Sequence, residues 1–359
     1  MVREQAQRFL NDAIQAEHLR MLLEAPGSFD GQTWSSVIEF GWPAISVTEE
    51  HDGLGLGWRG ICLLAEEVGR KTASLPLVPT AVAAQLIFAS PDVALHREHG
   101  AALVSGERHT CLALARGNDA GLAEPAELSL HGGQLYGTTA ITPFGASADY
   151  AVVAAGEGEA FSLLLVVLDQ EQARRVVTHA IDNSRAAAAL SFDGARALVL
   201  ASGDEARSAF WRAASLAGLA TAFEQVGGAQ ACLEMARDYA LERTAFGQQI
   251  GRFQAIKGKL ADMYIRIELA RGCALDALAA LEQNDPSWQG LAASARVAAT
   301  DAYEVSAREN IQTHGAIGVT WEALPHHHYR RSRALGLELG AAIVWRERLL
   351  AEIGFVPAT

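Results

Sequence analysis

Apolar positions follow two different spacings along this chain of 359 residues, and the spacing changes twice. Residues 1–98 repeat apolar positions near every 3.6 residues, which predicts an N-terminal α-helical domain. Residues 99–202 instead carry short apolar or alternating runs between turn residues, which predicts a middle antiparallel β-barrel or sandwich. Residues 203–359 return to helical spacing, which predicts a C-terminal helical bundle. The whole pattern therefore predicts a mainly α fold with a central β-domain.

The individual elements can be placed from the same pattern. Strands are expected at 101–104, 110–115, 127–130, 134–141, 150–155, 161–168 and 188–192. The pairs Gly132-Gly133 and Asp193-Gly194 fit hairpin turns between them. Four bundle helices are expected at 206–241, 253–281, 288–314 and 335–353. Their apolar faces are broad enough to bury helices against a second subunit.

Composition and charge narrow the class of protein. Half of the residues are hydrophobic and the formal net charge is −13, so binding to nucleic acid is not expected. The cysteines lack metal-ligand spacing and are expected to be reduced thiols of a cytoplasmic protein; they are Cys62, Cys111, Cys232 and Cys273. No signal peptide and no apolar run of 18 residues are present, so neither secretion nor a membrane span is expected.

Residues 243–257 combine an arginine with aromatic, amide and glycine residues between two predicted helices. Arg243 offers a planar fork of donors that suits a phosphate. The residues that follow it include Phe246, Gly247, Gly251, Phe253 and Gln254. The glycines indicate a turn or a close approach of the backbone, and the phenylalanines provide flat apolar faces. Two interpretations stay open on spacing alone: a grip on a flat phosphorylated ligand, or an ordinary corner with a surface arginine.

Other stretches carry weaker signals. Gly315 and Gly318 permit a backbone close to a ligand, although the segment is also an ordinary helix end. The glycine-rich loop at 47–57 lacks the Lys and Ser/Thr of a phosphate loop, so a structural turn is expected. Consecutive histidines at 326–328 are expected to point in different directions, so no metal site is predicted.

Several motifs together resemble the acyl-CoA dehydrogenase family of flavoproteins, over essentially the whole chain. Gly41-Trp42 with Val47-Thr-Glu-Glu-His-Asp-Gly-Leu-Gly-Leu-Gly57 is similar to the family's N-terminal segment, and Glu66-Glu-Val-Gly-Arg70 resembles its "EE-GR" helix. Arg243-Thr-Ala-Phe-Gly-Gln-Gln-Ile-Gly-Arg-Phe-Gln254 closely resembles the signature R-x-x-F-G-x-x-I-x-x-F-Q. Gln312-Thr-His-Gly-Ala-Ile-Gly318 resembles Q-x-H-G-G-x-G. The last two motifs at their spacing are highly specific together.

The resemblance implies that these last two motifs hold the ADP half of FAD across a subunit interface. Arg243 would pair with the pyrophosphate, and Phe246 and Gln254 would line the adenosine side. The backbone near Gly315 would approach the diphosphate. The implied cofactor-binding residues are Arg243, Thr244, Phe246, Phe253, Gln254, Gln312, Thr313, His314, Gly315 and Gly318.

The chain departs from the family pattern around the flavin ring and the catalytic base. Where the family has a Thr/Ser-rich loop, this chain has residues 114–121, which do not match, and residues 139–144 retain only Thr142. Leu339-Gly340 falls where the family commonly has Glu-Gly, with Glu338 one residue early. The other family position for a base falls at Ala217. Glu338 is therefore the one candidate base, with Leu337 and Leu339 expected to desolvate it and raise its pKa; otherwise the base lies in a partner chain.

The implied reaction is FAD-dependent α,β-dehydrogenation of an acyl-CoA to a trans-2-enoyl-CoA, in fatty-acid or steroid side-chain β-oxidation. Electrons would pass to an electron-transfer flavoprotein. The pattern of intact and missing motifs favours one subunit of a heterotetramer (a dimer of dimers) that completes the flavin site of a homologous catalytic partner. Two alternatives stay open: a self-sufficient homotetramer with Glu338 as the base, and a non-enzymatic acyl-CoA-binding scaffold. Acyl-chain length, and CoA versus a carrier-protein thioester, are left open.

Overall fold

A computed structural model describes residues 2–114 and 128–354. Helices come first along the chain: α1 (Val2–Ala13), α2 (Ala16–Glu24), α3 (Gly31–Glu39), α4 (Gly57–Lys71), α5 (Leu77–Ala89), α6 (Val93–Leu95) and α7 (Ala101–Val104). The strands that follow are β1 (Thr110–Ala113), β2 (Ser129–His131), β3 (Gln134–Thr138), β4 (Tyr150–Ala155), β5 (Ser162–Val167), β6 (Ala173–Val177) and β7 (Ala188–Ser202). The last part holds α8 (Gly203–Glu242), β8 (Thr244–Ala245), β9 (Gln248–Gln249), α9 (Gln254–Glu282), α10 (Trp288–His314), α11 (Pro325–Leu337) and α12 (Ala342–Glu352). This order confirms the predicted fold class.

The central sheet is mixed and is organised by one long strand. Its order is β1-β4-β5-β7-β3-β2, and β6 also pairs with β7. Strand β7 has 15 residues and pairs with β5 through its second half and with β3 and β6 through its first half. All pairs are antiparallel except β1 with β4, which is parallel. The expectation of a wholly antiparallel sheet is therefore wrong for that one pair.

One strand prediction and one turn prediction are wrong for local reasons. Residues 101–104 form helix α7, because α6 continues through a π-helical turn at His96–Gly100 and supplies the backbone carbonyls for further helical turns. The pair Asp193-Gly194 is not a hairpin turn but lies inside β7. Gly194 is the extra residue of a β-bulge, since Leu135 pairs with Ala195 while Tyr136 pairs with Asp193.

Other sequence predictions are confirmed, extended or corrected. Gly132 and Gly133 form the predicted turn between β2 and β3. Of the strand predicted at 127–130, residue 127 lies outside the described residues, as do residues 115–121 of the loop compared with the family. The predicted helix 335–353 is wrong, because the chain leaves the helical region at Leu339 (φ 57°) and Gly340 (φ 96°). Two helices, α11 and α12, take its place.

Helix α8 forms the centre of the core, and residues 213–229 along it are all buried. It crosses α4 so closely that the two backbones touch. A Cβ atom on Gly69 would overlap the carbonyl oxygen of Glu224, and one on Gly227 would overlap that of Glu66. Within the described ranges, no helix is both long and apolar enough to cross a bilayer.

A single buried arginine joins the three parts of the fold. Arg331 on α11 is 1% exposed. Its guanidinium donates hydrogen bonds to Thr72 O (2.9 Å), Ala73 O (2.9 Å), Asp182 Oδ2 (2.6 Å), Ser184 Oγ (3.1 Å) and Glu224 Oε1 (3.0 Å). The first two acceptors follow α4, the next two precede β7, and the last lies on α8. The helical N-terminal part, the sheet and the bundle therefore share one set of polar contacts.

The crossing of α4 and α8 predicts a position-specific cost of adding one methyl group. We expect Gly69→Ala to lower the free energy of unfolding by roughly 1–3 kcal/mol or more, because the helices must separate to admit the methyl group. Gly272→Ala is the matched control, since Gly272 is exposed on α9 and its added Cβ meets nothing within 4 Å. It should be neutral or stabilising by up to about 1 kcal/mol. Urea denaturation measures both, and equal effects would contradict the crossing.

Candidate functional site

The two family-like motifs lie at the same end of the helical bundle. Helix α8 ends at Glu242 and α10 ends at His314, and α9 runs between them in the opposite direction. The rings of Tyr239 on α8 and His314 on α10 stack with centroids 4.2 Å apart. This contact brings the segment after α8 next to the segment after α10.

The segment after α8 is a tight hairpin with an exposed aromatic tip. Strands β8 and β9 pair, and the two residues between them, Phe246 and Gly247, both have positive φ (53° and 79°). Such angles are those of a type I′ turn. Phe246 is 96% exposed and meets Phe253 edge to face, with ring centroids 6.2 Å apart. A phenyl ring held out into solvent by a rigid turn is suited to contact a ligand or a second chain.

Arg243 stands at the base of this hairpin. Its backbone N–H donates to Tyr239 O (2.8 Å), and its carbonyl accepts from Ile250 N (2.9 Å), so the backbone is fixed on both sides. Its side chain is exposed, and no carboxylate of the described residues pairs with it. Thr244, the next residue, and Gln254, the first residue of α9, also have exposed side chains. An exposed guanidinium without an ion-pair partner among the described residues is suited to an oxyanion.

The segment after α10 presents backbone rather than side chains. Thr313 is buried, and its Oγ1 donates to Glu309 O (2.8 Å). The His314 ring is held by Asn310 O at 2.9 Å. Gly315 has φ 64° and an open surface, since nothing lies within 4 Å of the place where its Cβ would be. Gly318 is instead packed closely against Ile311. The backbone at Gly315 and the side chain of Gln312 are therefore exposed at the same end of the bundle as the hairpin.

The ADP end of FAD fits this surface by its donor set. A pyrophosphate needs cationic and N–H donors, and Arg243 and the exposed amides supply them. An adenine needs a flat apolar contact, and Phe246 supplies one. These residues could hold the ADP end of FAD.

A separate cavity of about 360 Å³ lies between the sheet and the end of α11. Its lining is mainly apolar and includes Leu112, Ile141, Thr142, Ile181, Leu337 and Leu339. Arg185 and Glu338 also line it. Arg185 Nη1 donates to Glu338 Oε2 in a short contact, and Nη2 lies 3.4 Å from Oε1. The guanidinium also lies over the Phe144 ring, 4.9 Å from its centroid. The cavity therefore ends on a neutral ion pair.

The candidate base Glu338 is held rigidly in that pair. Its side chain is 16% exposed. Burial raises its pKa above the ordinary value, while the Arg185 charge opposes that rise. Of the two leucines expected to desolvate it, Leu339 is buried but Leu337 is 53% exposed. The carboxylate thus has both oxygens directed at a guanidinium.

A second buried arginine fixes the backbone at Glu338. Arg296 donates from Nη2 to Leu335 O and to Glu338 O (2.9 Å). Its Nη1 donates to the side chains of Gln225 and Thr300, both at 2.6 Å. Burial lowers the pKa of Arg296 to about 10, so it stays charged at neutral pH. These bonds fix the backbone at the end of α11, from which the Glu338 side chain reaches the cavity.

The remaining family positions offer no free polar group. Thr142 is buried, its Oγ1 donates to Ala140 O (3.0 Å), and its N–H donates to Ala188 O (2.9 Å). Ala217 is completely buried on α8. Glu224 accepts from Arg331. These groups are all engaged inside the fold.

The three buried arginines were not predicted as site residues. Arg296 had a detectable signal, because it falls in the buried stripe Ala292, Arg296, Ala299 and Tyr303 at helical spacing. Arg331 lies in the run Arg330-Arg-Ser-Arg333, which is typical of a solvated surface. Arg185 lies in a turn with no motif around it.

The cysteines and histidines behave partly as expected. Cys62, Cys111 and Cys232 are buried and unbridged, and burial raises the pKa of Cys111 to about 12. The expectation that the histidine rings diverge is wrong for His326 and His327, whose rings stack 4.2 Å apart. In residues 2–114 and 128–354, no three His, Cys, Asp or Glu side chains converge as metal ligands would.

Comparisons with known proteins agree with the motifs. Family models match at both ends: "Acyl-CoA dehydrogenase, N-terminal domain" over residues 1–107 and "Acyl-CoA dehydrogenase, C-terminal domain" over residues 205–353. The probable acyl-CoA dehydrogenase YngJ of Bacillus subtilis is 31% identical over 344 residues, 89% of this chain and 88% of that protein. The acyl-CoA dehydrogenase IpdE2 of Mycobacterium tuberculosis is 29% identical over 318 residues, 88% of this chain and 84% of that protein. The solved Tcur3481-Tcur3483 steroid ACAD G363A variant has a TM-score of 0.89 and 28% identity, covering 98% of this chain and 96% of that one.

The Arg185–Glu338 pair predicts strong coupling between two substitutions. We expect Glu338→Gln to destabilise the chain by roughly 2–4 kcal/mol, because it leaves a buried guanidinium without its counter-charge. The double variant Arg185→Gln/Glu338→Gln should lose less than the sum of the single variants, by about 1–3 kcal/mol. Urea unfolding of the four proteins measures this coupling.

The pair Arg333–Glu304, with N···O 2.8 Å, is the control, since its side chains are 42% and 35% exposed against 7% and 16% for Arg185 and Glu338. Its greater contact with solvent should keep the coupling below about 1 kcal/mol. Additive losses at Arg185 and Glu338 would show that their ion pair does not form in solution.

Proposed function

Because this chain belongs to the acyl-CoA dehydrogenase family, whose members generally depend on FAD, we propose that it is one subunit of a hetero-oligomeric acyl-CoA dehydrogenase. It holds the ADP end of a flavin whose ring is seated in a homologous catalytic subunit. One observation carries this proposal: the ADP-type surface at Arg243 is open, while the carboxylate at Glu338 is bound to Arg185. The surface for the ADP end is therefore free to bind a ligand, whereas the candidate base is held in an ion pair within the chain.

The surface formed by Arg243, Phe246 and Gly315 is suited to bind an anion from outside the chain. Arg243 is anchored by its backbone, so its guanidinium can meet a pyrophosphate without losing an internal ion pair. Phe246 projects away from its own chain, so an adenine stacked on it would lie at the boundary with another subunit. Gly315 lets a phosphate approach the backbone without a side chain in the way.

The positions where the family has its base offer no free carboxylate in this chain. A general base needs an accessible lone pair at working pH. Both oxygens of Glu338 face the Arg185 guanidinium, whose charge opposes the rise in the carboxylate pKa that burial causes. Ala217, at the other family position, has no titratable group, and Glu224 is bound by Arg331. In this proposal the proton is removed by a carboxylate of the partner.

An exposed apolar face of α9 supports packing against a homologous subunit. Ile265, Leu269, Gly272 and Leu275 recur every three or four residues and are all exposed. Helix α9 begins at Gln254, at the end of the ADP-type segment. A subunit that shares the flavin with Arg243 is therefore close enough to cover this face as well.

In the complex, the reaction is dehydrogenation of the Cα–Cβ bond of an acyl-CoA. When bound, FAD supplies the acceptor for the hydride that leaves the β-carbon. The residues of this chain contribute binding and orientation: Arg243 balances pyrophosphate charge, and the Phe246 turn fixes the adenosine end. Similarity to a steroid ACAD favours a bulky, steroid-type acyl group. An electron-transfer flavoprotein is the proposed final electron acceptor.

The proposal predicts that Arg243 governs flavin retention in a co-purified complex. We expect Arg243→Gln, produced together with a homologous acyl-CoA dehydrogenase subunit that forms a complex with it, to weaken FAD retention roughly 10- to 100-fold, because one charge-assisted pair is lost. The ratio of flavin to protein absorbance after dialysis measures this. Arg237→Gln is the control, since Arg237 is exposed six residues earlier and pairs with Asp238. Stoichiometric FAD and turnover by the chain alone would contradict the proposal.

A second experiment separates this proposal from a self-sufficient enzyme, which the cavity beside Glu338 would otherwise favour. The double variant Arg185→Gln/Glu338→Gln removes the carboxylate and its counter-charge together. We expect turnover of the complex to stay within about threefold of the unaltered complex. If Glu338 were the base, turnover would fall by a factor of about 100 or more.

A further inference from the structure

A groove of about 510 Å³ lies beside α4 and α8. It is enclosed by helices α1 and α2, the end of α4, the C-terminal part of α8 and the first turn of α11. None of the residues proposed for FAD lines it. Its volume is in the range of small-molecule sites in proteins.

The carboxylates that line this groove are already paired with arginines. Glu67 accepts from Arg3 Nε at 2.8 Å, and Arg70 lies 3.6 Å from its other oxygen. Glu234 accepts from Arg70 at 2.6 Å, and Asp238 pairs with Arg237 at 2.7 Å. The acidic groups of the groove are therefore neutralised before any ligand binds.

Lys71 is a cation in the lining of the groove that takes part in none of these ion pairs. It lines the groove and is half-buried at the end of α4, and no carboxylate of the described residues pairs with its ammonium group. Burial, followed by the neighbouring charge of Arg70, lowers its pKa. The Lys71 charge also acts on His328, so it lies near the first turn of α11. A half-buried ammonium without a partner favours an anionic ligand.

His327 adds an independent polar group to the lining of the groove. The side chain is 5% exposed and lines the groove, and neither ring nitrogen has a hydrogen-bond partner among the described residues. Burial, with the adjacent His326, lowers its pKa to about 4, so the imidazole is neutral at pH 7. A neutral imidazole can donate one hydrogen bond and accept another. A buried histidine without a partner that faces a groove is suited to a polar ligand atom.

We propose that this groove binds a small organic carboxylate, with its oxyanion on Lys71 and His327 and its apolar body against Ile14, Leu19, Met235 and Leu324. One ammonium and a neutral imidazole match a single negative charge. The four apolar side chains favour a ligand with a hydrocarbon part over a bare inorganic anion.

Hexanoate is the probe that tests this site on the full chain. We expect calorimetry to show hexanoate binding that weakens at least about tenfold in Lys71→Gln, because a charge-assisted contact is lost. Lys71→Arg should retain binding, which separates loss of charge from loss of folding. Lys257→Gln, at an exposed lysine on α9, is the matched control and should bind as the unaltered chain does. The ring resonances of His327 should shift on titration.

Two further ligands decide the chemistry of the site. Hexan-1-ol has a similar body without the charge and should bind at least about tenfold more weakly than hexanoate. Inorganic phosphate should compete poorly with hexanoate. Equal binding of hexanol, tighter binding of phosphate, unchanged affinity in Lys71→Gln, or no binding of hexanoate at millimolar concentration would each overturn the proposal.

Discussion

The guanidinium of Arg331 is the interaction on which the rest of this structure depends. An arginine side chain has five N–H donors. Here they meet five acceptors, two carbonyls after α4, a carboxylate and a hydroxyl before β7, and a carboxylate on α8. Burial alone would lower the pKa of Arg331, but Asp182 and Glu224 raise it above the ordinary value. Removing one member would leave a buried charge unpaired, so the three parts of the fold are held in one relative position.

The interior around Arg331 contains equal numbers of positively and negatively charged side chains. Glu338 is one of the negative ones. Arg185, Arg296 and Arg331 lie close to Asp182, Glu224 and Glu338, three cations with three anions. Glu338 acts as a counter-ion for Arg185 while its carbonyl accepts from Arg296. Breaking that pair would leave an uncompensated buried charge. One residue before the position where the family commonly has its base, this chain therefore carries a paired carboxylate.

The sequence predicts features that are contiguous and misses those that the fold assembles. Strand β4 and helix α10 follow their apolar patterns, and the segment from Arg243 to Gln254 could be recognised because its residues are neighbours. Strand β6 was missed because Arg174 and Arg175 make its run polar. The Arg331 contacts to Glu224 and Asp182 span 107 and 149 residues, so no local pattern records them. The pairing of Glu338 with Arg185 spans 153 residues and was beyond prediction for the same reason.

The net charge of the whole chain affects how Arg243 and Lys71 could bind an anion. Acidic residues outnumber Lys and Arg by 42 to 29. Carboxylates are therefore abundant, yet none of those that the structure describes pairs with Arg243 or Lys71. The net charge of −13 repels anions at long range, but screening at physiological salt limits that repulsion to about 8 Å. Within that distance a nearby cation without an ion-pair partner can outweigh the net charge of the chain. The two proposed anion sites, at the hairpin after α8 and at the groove beside α4, each contain such a cation.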